Sequence, residues 1–333
     1  MTKFEWNPAE LLKLSGSYWA TCALHAAVKL DLFTPLQKQS FTADSLAAEL
    51  AVEPRALAML LDAMSALGLL HKEGERYAGS EFSNLYLASD SEKYLGHIIM
   101  HHHHLVRGWS ELAGAVKSGQ PYREPVSHGD DPVERESFLM GMFNLAMLTA
   151  PKVVSQVNLQ GRYSLLDLGG GPGTYAIHFC QNNPQLAATV VDLPTSQPFA
   201  EKTIRRFGLE DLIPFVPGDF NKEPLPREFD AAWLSHVLHG EGEDECRAML
   251  AKVVDAMAPG GLLLVQEFVL NDAKDGPPFP TLFSLNMLLN TTEGRAYSEA
   301  EIVEMMSGAG LRAIKRLQLD LPNGAGVLQG EKP

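Results

Sequence analysis

The stretch LLDLGGGPGTYA, Leu165–Ala176, decides the fold of this chain. An apolar run typical of a β-strand leads directly into a glycine-rich turn, and a helical pattern follows. Because glycine has no Cβ, backbone N–H groups in such a turn can approach a ligand at the start of the helix. The stretch therefore predicts a strand–turn–helix unit that binds a nucleotide-like cofactor.

Strand and helix patterns alternate from Tyr163 onward. This alternation predicts an α/β fold with a doubly wound, Rossmann-like and mostly parallel sheet. Ligands of such sheets bind at the carboxyl ends of the strands. The predicted strands are Ser164–Leu168, Ala188–Asp192, Ile213–Gly218, Phe229–Ser235 and Gly261–Val269, with a late antiparallel pair near Leu311–Leu319 and Gly326–Gln329.

The first 95 residues have mainly helical patterns that end in a predicted β-wing. Pro54 can open a helix, Gly68 can end it, and a polar turn at Lys72–Arg76 follows. This order is typical of a winged helix. Earlier in the region, a helical spacing is shown by Leu11, Leu14, Tyr18, Cys22 and His25.

Charge decides between DNA binding and protein packing for this region. Residues 1–100 carry eight Lys or Arg and twelve Asp or Glu, and the whole chain has a net charge of −14. The candidate recognition helix, Arg55–Leu67, has a single Arg. Because an acidic surface repels phosphate, we expect packing or dimerisation and no nucleic-acid partner. A winged-helix regulator that senses a metabolite is the alternative from another functional class.

The composition is that of a soluble globular protein. The 333 residues suggest two domains, and 45% of them are hydrophobic and 20% charged. No apolar run is long enough to span a bilayer, and the first 14 residues lack the apolar core of a signal peptide, so we expect no membrane partner. Cys22, Cys180 and Cys246 lack metal-ligand spacing, and we expect each to be a small buried residue of a cytoplasmic protein.

A histidine-rich run, GHIIMHHHHLVRGW, lies between the two halves of the sequence. His97, His101 and His104 can share one helix face, which suits either a metal site or a helix near a pocket or a dimer seam. No Asp, Glu or Cys accompanies them at helical spacing, so we expect no metal. The predicted loop Gly119–Asp131 follows, and then a Met-rich helix, Phe138–Leu148.

The glycine pattern alone does not identify the cofactor. The third glycine of the dinucleotide fingerprint falls on Thr174, and Asp192 would accept bonds from a ribose in NAD and S-adenosylmethionine enzymes alike. Asp219-Phe220 suits an adenine, because the carboxylate accepts the exocyclic N–H and the ring packs beside it. An NAD oxidoreductase remains a further alternative.

Several motifs in order are similar to those of the class I S-adenosylmethionine-dependent small-molecule O-methyltransferases, which include the caffeate and acetylserotonin enzymes and bacterial enzymes of polyketides and pigments. The motifs are DLGGGPG, VVDLP, GDF, LSHVLHGEGEDECRAML, APGGLLLVQEFVL, GRAYSEAE and GAGL. The resemblance covers nearly the whole chain. It implies a dimerisation domain over residues 1–95, a helical substrate-pocket region over 96–160 and a methyltransferase domain over 161–333.

The resemblance implies that S-adenosylmethionine is the cofactor. The glycines would admit its methionine part, and Asp167 would orient the loop. Asp192 would hold the ribose, and Asp219 with Phe220 would hold the adenine. Ser235 stands where the family often has a Lys. The implied cofactor-binding residues are Asp167, Gly169, Gly171, Gly173, Asp192, Leu193, Asp219, Phe220 and Ser235.

The resemblance also implies the catalytic residues. His239 matches the general base of the family, with His236 as a nearby competitor, and Glu267 matches a glutamate beside that base. A second family glutamate falls where this chain has Ala296. This departure leaves O-methylation as the first expectation and methylation at carbon or nitrogen as the alternative.

The implied acceptor is a small aromatic, polyketide-like or pigment-precursor hydroxyl compound. Its pocket would lie between Met140–Met147 and Phe283–Thr291, and Tyr18 and Trp19 would reach into the pocket of the partner in a homodimer. The implied substrate-binding residues are Met140, Met147, Asn286, Met287, Asn290, Tyr18 and Trp19.

Overall fold

The structure is a computed structural model that describes residues 6–123, 129 and 131–333. It divides into two compact units, Met1–His104 and Leu105–Pro333. Residues 124–128 and 130 of the predicted loop Gly119–Asp131 lie outside the described residues.

The first unit is mainly helical. Its helices are α1 (Pro8–Gly16), α2 (Tyr18–Lys29), α3 (Phe33–Lys38), α4 (Ala43–Leu50), α5 (Pro54–Ala66), α6 (Glu81–Tyr86) and the start of α7 (Gly96–Ser110). The helix starts follow from side-chain caps. Asn7 Oδ1 accepts from the backbone N–H of Ala9 and Glu10, and Glu53 accepts from Arg55 and Ala56, ahead of Pro54.

A small antiparallel sheet completes this unit. Its strands, β1 (Phe41–Thr42), β2 (Leu70–Glu73) and β3 (Arg76–Gly79), lie in the order β1-β3-β2. Leu57, Leu61 and Met64 of α5 are buried in the core of the unit. The helix that the sequence singled out as a DNA-reading candidate therefore uses its apolar face for packing.

The helical spacing from Leu11 to His25 is confirmed, because all five residues lie in α1 or α2, which are separated only by Ser17. The expectation for one cysteine was wrong. Cys22 is exposed, whereas the other two cysteines are buried as expected. The reason is that α2 buries His25, Ala27 and Val28, and Cys22 lies one turn beyond the exposed Tyr18.

The second unit contains a mixed sheet of eight strands. Its strands are β4 (Ser164–Leu168), β5 (Ala187–Asp192), β6 (Phe215–Pro217), β7 (Phe229–Ser235), β8 (Met257–Leu270), β9 (Tyr297–Ser298), β10 (Arg312–Arg316) and β11 (Ala325–Glu331). Its helices are the end of α7, α8 (Leu112–Ser118), α9 (Pro132–Val154), α10 (Thr174–Asn182), α11 (Gln197–Arg206), α12 (Glu243–Ala256), α13 (Pro278–Asn290) and α14 (Glu299–Gly308).

The strand order β10-β11-β8-β7-β4-β5-β6 fixes where a ligand can bind, and β9 pairs with β8. The chain adds β5 and β6 on one side of β4 and then returns to place β7 on the other side. The carboxyl ends of β4 and β7 therefore lie at the point where the strand order reverses, which is where open α/β sheets bind ligands. The late pair β10 and β11 is antiparallel, as expected.

Apolar clusters cover both faces of this sheet. Trp233 of β7 is fully buried on one face, where its ring lies 5.2 Å from that of Phe179 in α10. Leu234, the next residue, is buried on the other face with Met249 and Leu250 of α12. The fold class is thus the expected Rossmann-like α/β domain together with a winged-helix unit.

The helix α9 corrects the expectation that no segment is long enough to span a bilayer. Its 23 residues pass that test by length and composition, although 44% of its most apolar window is buried inside the structure. Leu139, Phe143, Ala150 and Val153 are among its buried residues. A core helix of a soluble protein shows the same features, so the length of α9 is weak evidence for a membrane segment.

Candidate active site

The glycine turn after β4 has a backbone that few other residues adopt. Gly169, Gly171 and Gly173 have φ values of 66°, 51° and 77°, in the left-handed region that glycine enters without a steric penalty. A Cβ at Gly169 would lie 2.7 Å from Cγ2 of Val237, whereas a Cβ at Gly171 would meet no atom nearer than 4.0 Å. The turn is therefore closely packed at its start and leaves open space at Gly171.

Asp192 at the end of β5 holds this turn. Its Oδ2 accepts the backbone N–H of Gly171 at 2.7 Å, and its Oδ1 accepts the N–H of Leu193 at 2.6 Å and the hydroxyl of Ser196 at 3.1 Å. Burial raises the pKa of this carboxyl, and these hydrogen bonds oppose the rise. A carboxylate has further lone pairs, so Asp192 can still accept from a ribose hydroxyl.

Asp167 lies beneath the turn and is almost completely buried. Burial raises its pKa to about 7; the N–H of Ala176, which Oδ2 accepts at 3.2 Å, opposes the shift, and the charge of Asp192 adds to it. A Cβ at Gly170 would lie 2.7 Å from the carboxyl carbon of Asp167. The structure thus places Asp167 where it supports the turn and the start of α10.

Asp219 and Phe220 follow β6 at the same edge of the sheet. Asp219 accepts the N–H of Asn221 at 3.1 Å and pairs with Lys222 at 2.8 Å. The Phe220 ring lies 3.7 Å from the Cβ position of Gly169. Ser235, half-buried, ends β7 beside β4. The open space at Gly171, the carboxylates and the apolar ring fit the amino acid, ribose and adenine parts of S-adenosylmethionine.

His239 and Glu267 form a close pair. His239 lies in a short 3-10 turn, Leu238–Gly240, just after β7, and Glu267 lies near the end of β8. Nδ1 of His239 is 2.8 Å from Oε2 of Glu267, and the backbone N–H of His239 donates to Oε1 at 3.3 Å. Because a carboxylate only accepts, Nδ1 carries the proton and Nε2 keeps a free lone pair.

The charge state of Glu267 follows from its surroundings. Glu267 is 1% exposed, and this burial opposes ionisation of its carboxyl group. The attraction of His239 and hydrogen bonding to His236 and His239 outweigh burial, and they hold the pKa of Glu267 well below its usual range. Glu267 is therefore an ionised acceptor for the imidazole of His239.

His236 is a third member of the group, and the sequence interpretation treated it only as a competitor for the base role. Its Nδ1 lies 3.6 Å from Oε2 of Glu267, and its Nε2 lies 3.2 Å from Nε2 of Gln266. Among the described residues, His236, His239 and Glu267 are the group whose ligand atoms lie close enough to hold a metal ion, all within 4.8 Å of one another. Within the part of the chain that the structure describes, His97, His101 and His104 do not form such a group.

Aromatic rings pack around His239. The Phe283 ring packs edge-on against the imidazole at 4.7 Å, and Phe268 lies 4.9 Å from Phe279 and 4.8 Å from Phe283. Phe268 and Phe279 were absent from the sequence prediction. Their signal was their place near the end of β8 and at the start of α13.

Phe283, Asn286 and Asn290 share one face of α13. Asn286 Oδ1 accepts Trp109 Nε1–H at 3.2 Å, and Asn290 Oδ1 accepts Arg123 Nε–H at 2.8 Å. Met287 is buried. The structure therefore brings Asn286 and Asn290 to the helix that carries Phe283, while sequence reasoning missed Trp109 and Arg123, which are far away in the chain.

The two methionines of α9 are half-buried. Sδ of Met147 lies 3.4 Å from Nε2 of His178 in α10, and Leu139, next to Met140, lies 4.0 Å from the Cβ position of Gly171. In the first unit, Tyr18 and Trp19 are 60% and 71% exposed and pack edge-on at 6.2 Å. Acceptor contacts by these four residues stay predictions.

Comparisons with known proteins agree with this geometry. A family model described as the O-methyltransferase domain matches residues 109–312, and the O-methyltransferase dimerisation domain matches residues 12–89. The chain is 33% identical to a 3-hydroxy-5-methyl-1-naphthoate 3-O-methyltransferase of Streptomyces sahachiroi, over 98% of this chain and 95% of that protein. It is 31% identical to an N,N-dimethyltransferase of Streptomyces rimosus, over 97% and 96% of the two chains.

A solved structure, human N-acetylserotonin methyltransferase in complex with S-adenosylmethionine, superposes with a TM-score of 0.86 at 27% identity, over 100% of this chain and 99% of that one. The matched domains, the relatives and the fold all lead to one family. The chain belongs to the O-methyltransferase family and is an S-adenosylmethionine-dependent methyltransferase.

Proposed function

We propose that this enzyme methylates a hydroxyl group of a small aromatic, polyketide-like or pigment-precursor molecule, with His239 as the general base. The observation that carries the proposal is the 2.8 Å contact between His239 Nδ1 and the buried, ionised Glu267. This contact leaves Nε2 unprotonated and stabilises the imidazolium that forms when Nε2 takes a proton.

The bound cofactor supplies an electrophilic methyl group on a sulfonium. A phenol has a pKa of about 10, so few phenols are ionised at neutral pH. His239 would remove the hydroxyl proton as the oxygen bonds to the methyl carbon, and the electron pair of the broken carbon–sulfur bond would stay on sulfur. A positioned base of this kind contributes roughly 10²–10⁴-fold.

The surroundings of His239 support an aromatic acceptor. Phe268, Phe279 and Phe283 offer ring faces and edges, and Asn286 and Asn290 offer amide groups along one face of α13. Flat rings pack well on such walls. We propose Met287 and, from α9, Met140 and Met147 as further lining residues, because methionine adapts to irregular ligands.

We further propose a cytoplasmic homodimer in which Tyr18 and Trp19 reach the acceptor pocket of the partner. The support is the dimerisation-domain match and the exposure of both rings on α2. Exposed aromatic groups of this size are enriched at protein interfaces. Sedimentation velocity of the wild type and of a Tyr18→Ala, Trp19→Ala variant tests this part, and a monomeric wild type would refute it.

The variant His239→Ala tests the base. We expect kcat to fall roughly 10²–10⁴-fold, while the Kd of S-adenosylhomocysteine in calorimetry stays within about threefold of wild type. His71→Ala, on β2 of the other unit, is the matched control and should change neither value. An unchanged kcat in His239→Ala would remove His239 from the base role.

Methylation at nitrogen is the second candidate function. Ala296 stands where the family has a second carboxylate, and its backbone N–H donates a hydrogen bond to Oγ of Ser284 at 3.2 Å. A relative named as an N,N-dimethyltransferase is 31% identical. The enzyme can be given a naphthol and the matching naphthylamine, each with a labelled methyl donor. Mass spectrometry of the products then separates methylation at oxygen from methylation at nitrogen. Product from the amine alone would favour nitrogen. Methylation at carbon, the other alternative, would give a product that keeps its new methyl group after ether cleavage.

A further inference from the structure

We propose that His236 is a positioning residue for the reaction: it shares the carboxylate of Glu267 with His239 and, with Gln266, replaces the orienting carboxylate that is absent at Ala296. This inference rests on the proposed role of His239 as base. It adds an assignment for a histidine that the base mechanism itself does not use.

The first argument is the arrangement around Oε2 of Glu267. Nδ1 of His239 lies 2.8 Å from this oxygen and Nδ1 of His236 lies 3.6 Å from it. The side chain of Glu267 is only 2% exposed. His239 donates a hydrogen bond to this oxygen, whereas Nδ1 of His236 is a buried atom without a hydrogen-bond partner among the described residues and lies just beyond hydrogen-bond distance of Oε2. Its N–H dipole still faces the buried carboxylate, because burial leaves it no water as an alternative acceptor.

Gln266 selects the tautomer of His236. The amide Nε2 of Gln266 is a donor, and it lies 3.2 Å from Nε2 of His236, so this ring nitrogen accepts and the proton of the neutral ring lies on Nδ1. Nδ1–H then faces Oε2 of Glu267. Gln266 is 2% exposed, so burial restricts its amide to few orientations.

The backbone of His236 is unusual in a way that serves this contact. Its φ is 58°, a left-handed value that costs free energy in a residue other than glycine. Its N–H donates to the carbonyl of Gln266 at 2.8 Å, and its ring lies 4.2 Å from that of Phe268. These contacts hold the ring beside Glu267. Strained residues of this kind concentrate at functional sites.

Ala296 explains why a second partner is needed. The side chain at this position is a buried methyl group, 1% exposed, and offers Glu267 and His239 no polar contact. Glu267 of β8 and His239 of the 3-10 turn are titratable groups that face His236, and Gln266 and Phe268 of β8 also lie against it. The orienting work therefore comes from the imidazole of His236.

The test compares His236→Leu, which has no donor, with His236→Gln and His236→Asn, which keep an N–H donor; asparagine also tolerates the left-handed backbone. We expect His236→Leu to lower kcat roughly ten- to hundredfold, the range of partners that orient a reactive group, with KM changed less than threefold.

Rescue separates positioning from a merely structural role. At least one of the two amide variants should recover most of kcat, and Gln266→Leu should give a partial loss that does not add to that of His236→Leu. A wild-type kcat in His236→Leu, or amide variants as slow as His236→Leu, would overturn the inference. If His239→Ala keeps full activity, the base proposal fails instead, so the two failures are distinct.

Discussion

The backbone N–H of Gly171 donates a hydrogen bond to Oδ2 of Asp192 over 2.7 Å, and this bond joins the turn after β4 to the end of β5. The carboxylate thus fixes the conformation of the turn. We expect the same carboxylate to accept a hydrogen bond from the ribose of the cofactor, in which case one side chain would both shape the site and bind the ligand.

We expect Asp192→Ala to weaken cofactor binding severely. Hydrogen bonds to a charged group are worth about 1.5–3 kcal/mol, which corresponds to a rise of roughly ten- to hundredfold in the Kd of S-adenosylhomocysteine by calorimetry. Ser196→Ala is the control, because it removes only the 3.1 Å hydroxyl bond to the same carboxylate. Equal affinities of Asp192→Ala and wild type would contradict the assignment.

The substitution Gly169→Ala separates backbone strain from packing. Gly169 and Gly208 have φ values of 66° and 67°, but a Cβ would lie 2.7 Å from Val237 at Gly169 and would meet nothing within 4 Å at Gly208. Gly208→Ala should cost about 1–2 kcal/mol in urea unfolding, and Gly169→Ala should cost more and also weaken cofactor binding.

The variant Val237→Ala combined with Gly169→Ala provides the check on that reasoning. Removing the two methyl groups of Val237 opens the space into which the new Cβ points, so the double variant should bind cofactor better than Gly169→Ala alone. If the two glycine variants lose equal stability, the contact with Val237 does not matter.

The stability contribution of Asp167 should depend on pH. Burial raises its folded-state pKa to about 7 from 3.8, so between these values the folded protein binds more protons than the unfolded chain and loses stability as pH rises. Asp167→Asn removes this penalty. Relative to wild type, the variant should gain several kcal/mol in urea unfolding between pH 4 and pH 8, at about 1.4 kcal/mol per unit; parallel pH curves would contradict this.

His25 should give the opposite trend in the first unit. Burial, with smaller contributions from His103 and His102, lowers its pKa to about 4 from 6.5. The neutral ring therefore supports the fold fully above pH 6.5, and this support is lost as pH falls toward 4. His25→Gln should flatten the decline of urea stability between pH 7 and pH 5, whereas His71→Gln should leave it unchanged. If the stability of His25→Gln declined as steeply as that of the wild type, the role of His25 would be refuted.

Local patterns predicted the fold because each one is set by near neighbours. The glycine turn follows β4 directly, and Asp192 ends the next strand, so sequence order alone places both at one sheet edge. The pairing of His239 with Glu267 came from the family resemblance, and the structure brings their side chains together across 28 positions of sequence.

Other features depend on register and on distant contacts, and the sequence could not show them. The contact of His236 with Gln266 needs the pairing of Ser235 with Gln266 and a left-handed backbone at His236. The bond from Arg123 to Asn290 joins residues 167 positions apart. The exposure of Cys22 depends on which face of α2 meets the core, and an apolar spacing does not specify this.

The pairing of β8 with β11 makes the position of the buried carboxylate depend on a distant segment of the chain. Gly326 lies opposite Glu267 in this antiparallel pair, so the strand that carries the carboxylate gains its second neighbour only from residues 325–331. We therefore expect a variant that lacks residues 325–331 to show no methyl transfer, although these residues contribute no side chain to the candidate site.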